Sequence, residues 1–129
     1  MNIKEFRVAL TTSDWEKSIQ FFRDGLGLEQ GELWKDGGRG QLLLAGNAAL
    51  EVFDPAYAAF VDDIEVGKRV SDQIRFAFEV NDLAKALARA LKYGAKLVHE
   101  PIKTPWMDLN VRVQSPEGFQ ITLFQRSQE

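Results

Sequence analysis

Arg7 and Arg75 stand at matching places in two copies of one short motif. Phe6-Arg7-Val8-Ala9-Leu10 followed by Ser13-Asp14 recurs as Ile74-Arg75-Phe76-Ala77-Phe78 followed by Asn81-Asp82, and the arginine and the aspartate shift by the same number of positions. A guanidinium stays protonated at any accessible pH and can clamp a carboxylate, phosphate or enolate through parallel hydrogen bonds. Arg112 is a third such group, and Glu51 and Glu79 are the carboxylates on comparable apolar stretches. The chain has no cysteine and a single histidine, His99. Thiolate chemistry, zinc–thiolate sites and a nucleophile–base–orienter set are therefore excluded. Trp34, Phe53, Trp106 and Met107 are candidates for an apolar lining that stacks a planar molecule.

Periodicity places these residues on a repeated set of elements. Lys4–Leu10 alternates, with Phe6, Val8 and Leu10 on one face and Arg7 and Ala9 on the other, which predicts a half-buried strand. Ser13 or Asp14 caps a helix whose Trp15, Ile19 and Phe22 share a face and which Gly25 and Gly27 end. Leu28–Trp34, Gln41–Ala45 and Ala49–Phe53 read as strands, with Asp36-Gly37-Gly38 as a hairpin turn. Pro55–Glu65 is a helix-like linker with Tyr57, Phe60, Val61 and Ile64 in an apolar stripe. The order then repeats: strand Gln73–Val80, a helix from Asn81 or Asp82 to Lys92 with Leu83, Leu87 and Leu91 on its buried face, and strands near Lys96–His99, Leu109–Gln114 and Gln120–Phe124. Pro101 and Pro105 bracket a loop carrying Trp106 and Met107. The prediction is an α+β fold of two tandem βαβββ half-domains, residues 1–54 and 70–129 with a linker at 55–69, forming a cupped eight-stranded sheet around a groove within one domain.

Composition narrows the partners. At 129 residues, with 45% hydrophobic and 27% charged residues, the chain has the profile of one ordinary globular domain. A net charge of −3 with no basic stripe argues against nucleic acid or an anionic membrane surface. No apolar run is long enough to span a bilayer, and MNIKEF enters a strand pattern without a signal-peptide core. A cytoplasmic protein is expected.

The duplicated unit is similar to the vicinal oxygen chelate superfamily, which includes glyoxalase I, bleomycin-resistance proteins and extradiol dioxygenases. The likeness is carried by Val8-Ala9-Leu10 through Ser13-Asp14 with Lys17-Ser18, Leu50-Glu51-Val52-Phe53, Ala77-Phe78-Glu79-Val80-Asn81-Asp82, Gly94-Ala95, and Ser115-Pro116-Glu117-Gly118 before Ile121-Thr122-Leu123-Phe124. Thr104-Pro105-Trp106 is similar to a loop of bleomycin-resistance-like members. The resemblance implies a homodimer. It also implies that Arg7, Glu51, Arg75 and Thr122 occupy the four positions where metal-dependent members place ligands. Only Glu51 is of a suitable type, because a guanidinium has no lone pair to give and one carboxylate with one hydroxyl is too few donors. No metal and no cofactor are expected.

Alternation then sets the groove wall, because residues two apart share a strand face. Arg7 brings Ala9; Arg75 brings Ala77 and Glu79; Glu51 brings Phe53; Thr122 brings Gln120 and Phe124; Asn110, Arg112 and Gln114 face in from their strand. Three arginines against two glutamates leave one excess positive charge, unless the arginines are spent on ion pairs with Glu51 or Glu79. The expected function is metal-independent binding of a small aromatic or anionic molecule, such as an antibiotic, by Arg7, Glu51, Phe53, Arg75, Trp106, Arg112 and Thr122. The alternative is a glyoxalase-like lyase or isomerase, or a dioxygenase relative, with Glu79 or Glu51 as the catalytic base. His99, away from these positions, is expected to be a surface residue.

Overall fold

The computed structural model describes residues 2–127; residue 1 and residues 128–129, at the outer ends of the expected half-domains, lie outside the described residues. Eight strands form one sheet in the order β2-β3-β4-β1-β5-β8-β7-β6. The first half comprises β1 (Ile3–Thr11), α1 (Trp15–Ile19), β2 (Glu29–Trp34), β3 (Gly40–Ala45) and β4 (Ala48–Phe53). The second comprises β5 (Ile74–Val80), α3 (Leu83–Lys92), β6 (Lys96–Lys103), β7 (Leu109–Gln114) and β8 (Gln120–Gln125), with α2 (Pro55–Val66) between the halves. Within each half the first and last strands pair in parallel, β1 with β4 and β5 with β8. The halves join where β1 meets β5 antiparallel, Arg7 opposite Ala77 and Ala9 opposite Arg75. The two half-domains thus pair within one chain.

Each helix starts where a carboxylate can accept an unpaired N–H of its first turn. Asp14 accepts from Lys17 N at 3.1 Å, Asp54 from Tyr57 N at 2.8 Å, and Asp82 from Lys85 N at 3.1 Å. Pro55 at the start of α2 and Gly67, in the left-handed region at φ 87°, bound that helix in the manner expected of each residue type. Trp15 packs its helix onto the sheet beside Ile19, Leu43 and Val52, and its Nε1 donates to Val52 O at 3.0 Å.

Four sequence readings are corrected. After Ile19 the first helix widens into a π-helical turn over Gln20–Gly25 and leaves Phe21 exposed. In α3, Leu83 is buried and Leu87 packs against the core, but Leu91 is 40% exposed; Ala86 and Ala90 complete the buried face. β6 does not stop at His99 but runs through Pro101 to Lys103. That is physically allowed, because β6 is the sheet edge and its register slips between His99 and Ile102, so proline interrupts no regular ladder. Finally, the face with Phe6, Val8, Leu10, Phe76 and Phe78, which alternation turns away from the groove to pack against the helices, is only half-buried, while the face carrying Arg7, Ala9, Arg75 and Ala77 is buried. The two-sided burial follows from α2, which lies across the inner face and packs against β4, β6 and β7. Its Tyr57, Ala58 and Val61 form a core cluster with Ala9 and Phe53.

Candidate functional site

Strand alternation and the β1–β5 pairing bring Arg7, Glu51, Arg75 and Thr122 together at the floor of a cavity of ≈ 660 Å³ between the halves. Arg7 Nη1 donates to Glu51 Oε2 at 3.0 Å, and its Nε donates to Glu5. Burial acts against the charged form of Arg7, but Glu51 and Glu5 outweigh it and raise the guanidinium above its usual range. Arg75 Nη1 donates to Thr122 Oγ1 at 2.7 Å, while its Nη2 lies 4.0 Å from Glu51 Oε1. Each guanidinium also rests on a ring: Arg7 sits 5.5 Å from the centroid of Phe124 and Arg75 5.9 Å from that of Phe53.

Arg112 belongs to a different part of this network and is a correction to the expected binding set. It is fully buried and does not line the cavity, because α2 lies over it and supplies two carboxylates. Its Nη1 lies 3.0 Å from Asp62 Oδ1, its Nη2 2.9 Å from Glu65 Oε1, and its Nη1 also donates to Ser71 Oγ at 2.9 Å. Asp62 Oδ2 accepts from Arg69 at 2.9 Å and from the Val70 and Ser71 backbone at 2.8 and 2.7 Å. Burial pushes the Asp62 carboxyl up, but Ser71, Arg112 and Val70 together hold it well below the ordinary carboxylate range. Glu65 Oε1 further accepts from the Thr122 hydroxyl at 2.7 Å, and its Oε2 accepts from Asn110 Nδ2 at 3.2 Å. The expected excess of one positive charge is therefore absent. Asp62, Glu65 and Glu5 compensate the arginines, and only Glu51 of the two glutamates counted from sequence does so.

Glu79 is likewise corrected as a groove residue. It does not line the cavity and is engaged by Lys4 Nζ at 3.9 Å and Arg126 Nε at 3.3 Å. Met107 also stays off the wall: it occupies a turn at φ 73°, 54% exposed. His99 is exposed, its Nδ1 2.8 Å from Glu100 O.

The remaining wall is aromatic. Trp34 stacks on Tyr57 with centroids 6.0 Å apart, and Phe53 meets Tyr57 edge-on at 4.9 Å. Phe60 and Phe124 continue this surface, and Trp106, 45% exposed, stands on the opposite side of the opening with Pro105. Burial, followed by the charges of Glu51, Asp36 and Glu32, raises the Tyr57 phenol above its usual range against the opposing pull of Arg75, so it stays neutral. Sequence reasoning missed Tyr57 as a wall residue and Asp62 and Glu65 as partners. A helical signal existed: Ala58, Asp62 and Glu65 follow at intervals of four and three, which places both acids beside the buried Tyr57 and Val61.

The four floor positions do not fit a divalent ion. Two are guanidinium groups, the carboxylate between them is held by Arg7, and the threonine hydroxyl already serves Arg75, Arg112 and Glu65. Among the described residues no three His, Cys, Asp or Glu side chains converge as a metal site.

A sheet of two βαβββ modules joined through their first strands, with four inward positions and a cavity between them, defines a two-module groove protein. The chain belongs to the Glyoxalase/Bleomycin resistance protein/Dioxygenase superfamily, whose family model matches residues 6–123. Solved structures share the fold at low identity. A hypothetical protein from Bacillus halodurans C-125 is 12% identical with a TM-score of 0.70, covering 99% of this chain and 96% of that one. A glyoxalase/bleomycin resistance protein/dioxygenase superfamily member from Vibrio splendidus 12B01 is 18% identical with a TM-score of 0.65, covering 94% and 97%. Methylmalonyl-CoA epimerase from Mycobacterium tuberculosis is 20% identical with a TM-score of 0.69, covering 98% and 90%. No curated protein matches the chain by sequence alone. No helix among the described residues is long and apolar enough to cross a membrane.

Proposed function

We infer that the chain is a metal-independent binding protein that sequesters a small planar aromatic molecule, an antibiotic being one such class, in the cavity between its half-domains. The observation that carries this reading is the wall itself: ≈ 660 Å³ bounded by Trp34, Phe53, Tyr57, Phe60, Phe124 and Trp106. That volume falls in the range of pockets that enclose drug-sized ligands. Aromatic faces supply contact area at small conformational cost, and Arg7, Arg75, Glu51 and Thr122 supply the few polar groups that orient a guest. The paired charges of the floor favour an aromatic guest over one bound chiefly through a negative charge.

Binding ranks ahead of turnover because both candidate bases are engaged in ion pairs. Glu51 is held by Arg7 at 3.0 Å and Glu79 is engaged by Lys4 and Arg126 off the cavity wall. A general base must reach the proton it abstracts. A cytosolic homodimer forms part of the same proposal.

Titration with planar antibiotics, read by quenching of tryptophan fluorescence and by chromatography of the recovered compound, tests the reading. Saturable quenching with the compound recovered unchanged is expected. Consumption of the compound, or no quenching by any of them, contradicts it.

A further inference from the structure

Packing fixes the ring of Tyr57 and leaves its hydroxyl unspent. Trp34 lies parallel to the ring with centroids 6.0 Å apart, and Phe53 meets it edge-on at 4.9 Å. On a third side Gly40 comes so near that a Cβ there would fall 2.9 Å from Tyr57 Cδ2 and Cε2. The residue is 6% exposed. Its backbone N–H is used by Asp54, but its hydroxyl makes no hydrogen bond among the described residues. A tyrosine hydroxyl on a buried ring ordinarily has a partner. This one is not sealed in: among the described residues the side-chain polar atom that is both buried and unpaired is Asn110 Oδ1. The phenol oxygen therefore reaches solvent, and the opening that Tyr57 lines is the cavity.

The sheet beneath places this hydroxyl near charge. Ala9 is opposite Glu51 on one side and Arg75 on the other, so those two flank it in one row across three strands. Tyr57 packs in one cluster with Ala9 and Phe53. The Phe53 ring has the Arg75 guanidinium 5.9 Å from its centroid as well as Tyr57 against it. After burial, the influences on the phenol are Glu51, Asp36 and Glu32, which raise it, and Arg75, which lowers it, and all four residues line the cavity. The phenol keeps its proton and is a donor. Acids outnumber the cation around it, so an anionic acceptor would be repelled where a neutral one is not.

We propose that Tyr57 determines ligand specificity: its hydroxyl donates a hydrogen bond to a neutral carbonyl oxygen on the edge of the guest. The ligand class is then a planar aromatic ketone or amide rather than an aromatic carboxylate. This rests on the binding function proposed above. The rings of the wall hold the faces of such a guest, and one hydroxyl reads its edge.

Three probes of nearly one shape test it by equilibrium dialysis: 2-acetylnaphthalene, 2-isopropenylnaphthalene, in which a methylene replaces the carbonyl oxygen, and 2-naphthoate, which carries a charge. In Tyr57→Phe, which keeps the ring and its packing, affinity for the ketone is expected to fall about fivefold while that for the alkene stays within about twofold. The wild-type chain is expected to bind the naphthoate about fivefold or more weakly than the ketone. Equal changes for ketone and alkene in the variant, or no change in either, overturn the role of Tyr57 and leave the binding function standing. Naphthoate bound as tightly as the ketone overturns the preference for a neutral acceptor. No binding of any probe up to its solubility overturns both the role of Tyr57 and the binding function.

Discussion

Asp62 shows how a charge is kept inside this groove without facing the cavity. Its side chain is 1% exposed, yet it receives Arg69, Arg112, the Ser71 hydroxyl and two backbone N–H groups. Because its folded carboxyl is held below the ordinary value of 3.8, the stabilisation it gives is fully present above that value and is lost as pH falls through the folded one. Urea unfolding between pH 6 and pH 2 is expected to show a progressive acid loss of stability. Asp62→Asn is expected to cost about 3 kcal/mol at neutral pH, since it strands part of a buried pair, and to flatten that acid slope. An unchanged slope in the variant would remove Asp62 from the account. The arginines were legible in the sequence, because Arg7 and Arg75 repeat in register and alternation assigns their face. The acids that answer Arg112 were not, because Asp62 and Glu65 lie on a helix whose apolar stripe, Tyr57, Phe60, Val61 and Ile64, leads one to place its acids in solvent.

At the scale of elements, α2 and the β2–β3 hairpin form the aromatic side of the cavity by packing almost without space between them. A Cβ on Gly38 would fall 2.3 Å from the backbone N of Tyr57, and one on Gly37, already at φ 75°, 2.5 Å from the Phe60 ring. Ring atoms can turn aside, but the Tyr57 backbone cannot. Gly38→Ala is therefore expected to push the hairpin off α2, with a loss of about 1–3 kcal/mol and a red-shifted Trp34 emission, both measurable in one denaturation series. A variant with wild-type stability and emission would contradict that packing. Strand and helix order was readable from alternation and from the capping Asp14 and Asp82, which fix local backbone choices. The extension of β6 through Pro101 was not, since proline argues against a strand unless the strand is an edge, and edge position is a property of the assembled sheet. The exposure of Leu91 has the same origin: helical spacing marks a face but not how far the sheet reaches beneath it.

For the molecule as a whole, the repeat predicted two facing halves, and the β1–β5 ladder joins them within one chain. What spacing could not reveal is that the linker helix is itself part of the groove. It closes the end occupied by Arg112 and leaves open the end walled by Trp34 and Trp106, so the space available to a guest is smaller than the sheet alone encloses and is lined by rings. The outer seam of the sheet, by contrast, carries Phe6, Phe76, Phe78 and Phe119 in contact at 5.0 to 5.8 Å, half-buried or exposed, with Phe78 packed against the cluster that α3 covers.

In the proposed function this family member holds its ligand with rings and guanidinium groups at positions where chelation is chemically unavailable. That binding is tested by the isotherm of 2-quinolinone, a planar aromatic probe, with chelator-treated protein, repeated after adding Zn²⁺, Ni²⁺, Mn²⁺ or Fe²⁺. Superimposable isotherms, with no ion retained after gel filtration, are predicted. Affinity that appears only with a metal, or rises about tenfold or more (1.4 kcal/mol) when one is added, with near-stoichiometric ion retained, would contradict it.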